Sequence, residues 1–192
     1  NTNSNDYTIL LTSSASESNN LCFRGITDFY NYYKIIPTFY INSIEHETSK
    51  TCVNLLCHLK RIHLKFIPVN NKGEININTL KKNINFNTLK KNIHLISIMT
   101  VNNELGSINN ITQIYNHFKN SNTIIHSDIS QSFGKDGFDL KKTPIHLITI
   151  CPHKILSTPT SIGLLIIRND IKQKIICQIS GNNVFNLGFR GA

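Results

Sequence analysis

The chain has 192 residues, of which 40% are hydrophobic and 16% are charged, and its formal net charge is +9 at pH 7. This length is enough for one α/β domain with a substantial core, or for two small domains at most. No apolar run approaches the roughly 20 residues that a membrane-spanning helix needs, so no membrane partner is predicted. The positive charge would suit nucleic acid, but the lysines form scattered pairs without a continuous basic stripe, so nucleic-acid binding is not predicted as the main function.

The five cysteines are odd in number and form no CxxC pair: Cys22, Cys52, Cys57, Cys151 and Cys177. This pattern argues against a disulfide framework and favours a reducing compartment inside the cell, while the organelle stays open. No metal site is predicted. The chain begins with Asn1 rather than Met, which predicts that it is a segment of a longer product.

Apolar runs alternate with helix-like segments along the chain. Strands are predicted at Tyr7–Thr12, Thr38–Asn42, His63–Val69, Ile93–Met99, Thr123–Asp128, Ile145–Ile150 and Ile162–Arg168. Helices are predicted at Glu17–Tyr33, Glu47–Arg61 and Ile111–Lys119. Because continuously apolar strands alternate with helices, the pattern predicts an α/β fold, a three-layer sandwich whose mostly parallel central sheet has helices on both faces.

Polar residues follow the predicted strands at the ends where an open parallel sheet binds its ligands. Ser14–Ser16 open a helix after the first strand, and the N–H groups and dipole of a helix start favour a phosphate. Glu45–His46, Asn102–Asn103, Asp128 and His153–Lys154 follow four further strands. Each of them alone is more often a cap or a loop residue. Their recurrence at one edge predicts a shared site.

Together these side chains fit a phosphorylated pyridine aldehyde. The turn at Ser14–Ser16 would take the phosphate, and Asp128 would hold a proton on the ring nitrogen. His46 would lie over the ring face, and Asn103 would reach a ring hydroxyl. Lys154 would supply the amine that forms an imine with the aldehyde.

The residues resemble the large domain of class V, fold-type I pyridoxal-phosphate enzymes, and the cysteine desulfurases in particular. The stretches that carry the resemblance are SSASESNN, IEHETSK, SIMTVNNELGSI, HSDISQSFGK and PHKILSTPTSIGLLIIR, in this order. The resemblance covers essentially the whole chain, and VNNELG followed by HSDISQ is its specific part. It implies that residues 1–192 are the large domain that binds pyridoxal 5'-phosphate, in a longer chain with a C-terminal small domain beyond this segment.

The resemblance also implies a reaction and partners. L-cysteine would be converted to alanine in a homodimer, and an enzyme cysteine would pass the sulfur as a persulfide to an iron–sulfur scaffold or another sulfur acceptor. The catalytic residues would be Lys154 and His46. The cofactor contacts would be made by Ala15, Ser16, His46, Asn103, Asp128, Gln131, His153 and Lys154, with Ala15, Ser16 and His153 at the phosphate and Gln131 beside the ring hydroxyl.

The chain departs from the family pattern at several positions. Ser14 replaces a glycine of the phosphate turn, Cys151 replaces a serine, and the persulfide cysteine of the family lies beyond the end of this sequence. These departures motivate a second hypothesis, in which the fold is a non-catalytic scaffold or a regulatory partner. A third hypothesis keeps the enzyme but assigns it another class V reaction, such as selenocysteine cleavage or amino transfer.

Overall fold

The computed structural model describes residues 6–84, 94–135, 138–154, 160–176 and 178. The strands in these ranges are β1 (Tyr7–Thr12), β2 (Thr38–Asn42), β3 (His63–Ile67), β4 (His94–Ser97), β5 (Thr123–Asp128), β6 (Leu147–Ile150) and β7 (Gly163–Arg168). The α-helices are α1 (Ala15–Tyr32), α2 (Glu47–His58), α3 (Ile77–Asn83) and α4 (Ile111–Phe118). Short 3₁₀ helices span Pro152–Lys154 and Asn169–Lys174. None of the helices in the described ranges is long and apolar enough to cross a membrane.

The strands form one sheet in the order β1-β7-β6-β5-β4-β2-β3. Neighbouring strands from β3 to β6 are parallel, whereas β7 is antiparallel to both β6 and β1. The predicted α/β fold with a mostly parallel sheet is confirmed. The carboxyl ends of β2, β4, β5 and β6 consequently meet at one edge, where parallel sheets bind their ligands.

Apolar side chains cover both faces of the sheet. Helices α1 and α2 close one face, where Phe23 and Val53 have no exposed surface. Helices α3 and α4 close the other face through Leu80, Ile114 and Phe118, each at most 2% exposed. The structure therefore has the three predicted layers, and burial of these side chains from water is the main force that holds the layers together.

Several element boundaries differ from the sequence-based prediction for identifiable reasons. Helix α1 begins at Ala15 rather than Glu17, because the Ser14 side chain caps it by accepting from the Glu17 N–H at 3.1 Å. Helix α2 ends at His58 rather than Arg61, because the chain reverses at Lys60 with a φ of 56°. Helix α3 was not predicted. Ile93, the predicted start of β4, lies outside the described residues.

Candidate active site

The turn between β1 and α1 is organised for an anion. Ser14 caps the helix, and the Glu17 carboxylate in turn accepts from the N–H and the hydroxyl of Ser13, both at 2.6 Å. The N–H groups of Ala15 and Ser16 belong to the first helical turn, where backbone donors have no partner inside the helix. These donors lie at the positive end of the helix dipole, so the turn can hold a phosphate.

Gly163 holds this turn against β7. It pairs with Thr12 across the β1–β7 ladder. A Cβ at Gly163 would lie 2.2 Å from the carbonyl carbon of Ser14 and 2.5 Å from the Thr12 Oγ1 atom. Only a residue without a side chain permits this approach. Because Thr12 also donates to the Ser14 carbonyl at 2.9 Å, the position of the anion turn is set by the end of the sheet.

Asp128 ends β5 and is 6% exposed. Its Oδ1 atom accepts from the Ser130 N–H at 2.9 Å, and its Oδ2 atom accepts from the Asn19 amide at 3.2 Å. One helical turn beyond Asn19, Phe23 meets the His126 ring edge-on with the ring centroids 5.3 Å apart, so the same face of α1 contacts β5 through both side chains. No ion pair to Asp128 occurs within the described part of the chain, and a buried carboxylate without a cation suits a positively charged ligand group.

His126, two residues before Asp128 in β5, is a neutral ring. Burial lowers the pKa of His126 to about 4, although the charge of Asp128 acts in the opposite direction. The two ring nitrogens contact the Ser97 hydroxyl at 2.8 Å and the Thr149 hydroxyl at 3.1 Å. His126 therefore supplies no neutralising charge to Asp128 at neutral pH.

His46 lies after β2, as the N-cap of α2. Its Nδ1 atom accepts from the Thr48 N–H at 3.3 Å and lies 2.8 Å from the Thr48 hydroxyl. A ring nitrogen that accepts an N–H carries no proton, so the neutral ring of His46 carries its proton on Nε2. The cap therefore fixes both the direction and the tautomer of a half-buried imidazole.

The two asparagines after β4 have different surroundings. Asn102 is buried, and its amide donates to the Ile44 carbonyl at 2.8 Å, while its Oδ1 atom accepts from the N–H groups of Glu104 and Leu105. Asn103 is exposed. Asn102 therefore shapes the loop and ties it to the loop that carries His46, whereas the ligand contact of the exposed Asn103 stays a prediction.

Glu45 is a site residue that the sequence-based prediction did not assign. It is 2% exposed, and its Oε1 atom accepts from the Met99 N–H at 2.5 Å. Burial, and then the charge of Asp128, raise the pKa of Glu45 to about 8. Its position directly before His46 was the only signal in the sequence, and this signal does not distinguish a buried carboxyl from an exposed one.

Three groups meet beside Cys151 at the end of β6. Its sulfur lies 3.4 Å from the Nδ1 atom of His153, and the nearby backbone N–H of Ala15 lowers the pKa of the thiol. Burial raises the pKa of the Cys151 thiol, the charge of Lys154 lowers it, and the charge of Asp128 raises it. Ala15, Asp128 and Lys154 therefore all lie close enough to Cys151 to influence the charge of its thiol.

The remaining predicted residues lie at the same edge of the sheet. Lys154 ends the short 3₁₀ helix after β6 and is exposed, and His153 precedes it half-buried. Gln131 is half-buried in the turn after β5. The predicted residues therefore share the carboxyl edge of the sheet, while their individual roles stay predictions. In the described residues, no group of His, Cys, Asp and Glu could hold a metal ion.

The sequence matches the model of the class-V aminotransferase family over residues 2–191, and the chain belongs to this family. Enzymes of this family generally depend on pyridoxal phosphate. The resemblance seen in the motifs is thereby confirmed.

Among curated relatives, the chain is similar to cysteine desulfurases called IscS. It is 39% identical over 175 residues to the one from Buchnera aphidicola subsp. Acyrthosiphon pisum (strain 5A), which covers 90% of this chain and 41% of that protein. It is 38% identical over 176 residues to the one from Rickettsia prowazekii (strain Madrid E), which covers 90% of this chain and 40% of that protein. The chain therefore spans about two fifths of the length of these relatives.

Solved structures show the same likeness. A NifS-like protein superposes with a TM-score of 0.82 at 26% identity, over 96% of this chain and 48% of that one. A NifS-like protein from Rickettsia africae ESF-5 gives 0.78 at 26% identity, over 98% and 47% of the two chains. A structure described as SspA in complex with cysteine gives 0.82 at 28% identity, over 96% and 50%.

Proposed function

We propose that the chain is the cofactor-binding part of a cysteine desulfurase, which converts L-cysteine to alanine and passes the sulfur on as a persulfide. The observation that carries the proposal is Asp128, a buried carboxylate without an ion-pair partner among the described residues, at the sheet edge that also carries Lys154. The similarity to cysteine desulfurases supports the choice of reaction within the family. The persulfide cysteine would belong to a part of the protein outside this sequence.

The residues present fit pyridoxal 5'-phosphate. The first-turn N–H groups of Ala15 and Ser16, with His153, would hold the phosphate, in the turn that Gly163 allows to pack on the sheet. Asp128 would pair with the pyridine nitrogen. The amides of Asn103 and Gln131 would bind the ring hydroxyl, and Lys154 would hold the aldehyde carbon covalently. When bound, the cofactor withdraws electrons from the α-carbon of an amino acid.

The side chains of the chain itself orient groups and hold protons in this site. Asp128 is buried and fixed by Asn19 and the Ser130 N–H, so it needs no rearrangement to stabilise a cation, and low surrounding polarity strengthens that pairing. His46 holds a proton on Nε2 while its Nδ1 is anchored to Thr48, which suits a group that transfers a proton from a fixed direction. The exposed amine of Lys154 is open to a carbonyl group and to exchange with substrate.

A homodimer and an iron–sulfur scaffold or other sulfur acceptor are part of the proposal. They follow from the family resemblance and from the similarity to cysteine desulfurases.

A non-catalytic scaffold on the same fold is the second candidate function. The observation that favours it is the buried Cys151, whose thiol pKa is influenced by the N–H of Ala15, one of the two backbone donors assigned to the phosphate. A bulky sulfur at this donor would weaken phosphate binding. The scaffold therefore predicts a folded protein that does not retain the cofactor.

The test uses the full-length protein purified with pyridoxal 5'-phosphate. The enzyme hypothesis predicts a visible absorbance band that borohydride abolishes, and alanine release from L-cysteine. Lys154→Ala should remove the borohydride-sensitive band, whereas Lys135→Ala, at an exposed lysine elsewhere in the chain, should keep it. A retained band in Lys154→Ala contradicts the covalent role. A folded protein without any such band supports the scaffold, and a band without alanine release points to another class V reaction.

A further inference from the structure

Glu45 is the one buried carboxyl near Asp128 that the proposed reaction does not use, among the residues that the structure describes. Its Oε1 atom accepts from the Met99 N–H, which leads out of β4, and its Oε2 atom is buried without a hydrogen-bond partner in the described residues. The Met99 bond ties the His46 loop to the loop that carries Asn103. The Asn102 bond to the Ile44 carbonyl is a second tie between the same two loops.

Asp128 and Glu45 differ in the number of N–H donors that their carboxyl groups accept. Asp128 accepts two N–H bonds, one at each oxygen, and N–H donors favour the ionised form. Glu45 accepts one at Oε1 and leaves Oε2 without a partner. Two neighbouring buried carboxyls do not both ionise at low cost, and Glu45 is the one with fewer donors to stabilise a negative charge.

Further polar atoms around Asp128 lack partners in the described residues. The Oδ1 atom of Asn19 and the hydroxyl of Ser130 are both buried and unpaired there, although each residue donates to Asp128 through another atom. Buried polar atoms normally have partners. The described residues therefore do not saturate the hydrogen-bonding capacity of the polar groups around Asp128.

The charged groups that face Glu45 come from two elements. Asp128 of β5 raises the pKa of Glu45, and Lys50 of α2 lowers it, as does the Met99 N–H, but burial is the largest influence. The balance of these effects is a pKa of about 8.

We propose that Glu45 is a positioning residue that carries a proton in the folded protein, so that the floor of the site holds a single negative charge on Asp128 and the His46 loop stays anchored to the end of β4. The inference rests on the proposed function in so far as Asp128 is assigned to the pyridine nitrogen. The single negative charge of Asp128 would then face the single positive charge of the protonated pyridine nitrogen. Glu45→Gln reproduces the neutral, hydrogen-bonding state, whereas Glu45→Ala removes the anchor.

Infrared difference spectroscopy tests the proposal on cofactor-free full-length protein, because the C=O stretch of a protonated carboxyl is separate from that of a carboxylate. The wild-type protein should lose a protonated-carboxyl band with a midpoint near pH 8. Glu45→Gln should lack this band, and Glu74→Gln, at an exposed glutamate, should keep it unchanged. Absence of a band above pH 6 in wild-type protein, or its persistence in Glu45→Gln, overturns the proposal.

A second variant keeps the test decisive if Glu45→Gln does not fold. Asp128→Asn removes the neighbouring negative charge, so the midpoint of the Glu45 band should move to lower pH, and an unmoved midpoint overturns the coupling of the two carboxyls. Cofactor binding is then read separately by titrating pyridoxal 5'-phosphate at neutral pH. Glu45→Gln should bind it within a few-fold of wild type, and Glu45→Ala more weakly. Cofactor binding by Glu45→Ala that equals wild-type binding overturns the anchoring role. Failure of the wild-type protein to bind cofactor overturns the proposed function, but the infrared band would still show that Glu45 carries a proton.

Discussion

Replacing Gly163 with alanine should separate the geometry of the anion turn from general stability. The new Cβ would lie 2.2 Å from the Ser14 carbonyl carbon and 2.3 Å from its oxygen. Carbon atoms in contact prefer a separation of about 3.5–4.0 Å, so the turn and β7 must part by about 1 Å or more. Overpacking of this kind costs about 1–3 kcal/mol.

The same displacement moves the N–H groups of Ala15 and Ser16 away from the phosphate. A misplacement of about 1 Å in a preorganised site lowers the reaction rate on the order of 100-fold, and we expect a loss of similar size or smaller in cofactor affinity. We therefore expect Gly163→Ala to weaken binding of pyridoxal 5'-phosphate by about 10- to 100-fold, in addition to lowering the free energy of unfolding. The cofactor affinity is measured by absorbance titration, and the free energy of unfolding by urea denaturation of the cofactor-free full-length protein.

Gly25→Ala is the matched control. Its Cβ would lie 2.6 Å from the Cγ2 atom of Ile175 and 2.8 Å from the Ile176 carbonyl oxygen, so it is also overpacked. Gly25 lies about 15 Å along α1 from the anion turn, at about 1.5 Å per residue. The control should lose stability and keep its cofactor affinity. Wild-type affinity in Gly163→Ala, or an equal loss of affinity in both variants, would refute the reasoning.

Three further predictions concern the buried carboxyls Asp128 and Glu45 and the two asparagines after β4. Asp128→Asn should keep the borohydride-sensitive band but slow alanine release in single turnovers by about 10²–10³-fold, as for a lost charge partner, and equal rates would make the aspartate structural. Because the folded pKa of Glu45 is about 8 against an ordinary 4.5, its contribution to stability is complete below pH 4.5 and is lost as the pH rises to 8. Between these pH values the free energy of unfolding should fall by about 1.4 kcal/mol per pH unit. Urea denaturation of Glu45→Gln across this range should lack this decrease, and an equal decrease in the variant contradicts the assignment. Asn102→Ala should lower the free energy of unfolding by about 1–3 kcal/mol because it leaves buried partners unpaired, whereas Asn103→Ala should change it by less than about 0.5 kcal/mol and alter the cofactor spectrum instead; a reversed order in the two unfolding measurements would contradict the assignment.

The sequence by itself determined the layered α/β fold and the positions where chemistry was to be sought. Largely apolar runs such as Leu147–Ile150 specify strands that are buried on both faces, and this requirement holds whatever the neighbouring strands are. Polar residues after those strands, among them His46, Asp128 and Lys154, could therefore be placed at one edge from the chain order alone.

The tertiary structure decided which of these polar residues are buried and which face the site. Asn102 and Asn103 are adjacent and chemically identical, yet Asn102 is buried with its amide on the Ile44 carbonyl, whereas Asn103 is exposed. The raised pKa of Glu45 likewise depends on burial and then on the charge of Asp128, which is distant in the sequence. The antiparallel course of β7, which brings Gly163 against Ser14, follows from pairing across the sheet. Burial, hydrogen-bond partners and neighbouring charges arise from such long-range contacts, and local sequence patterns do not encode them.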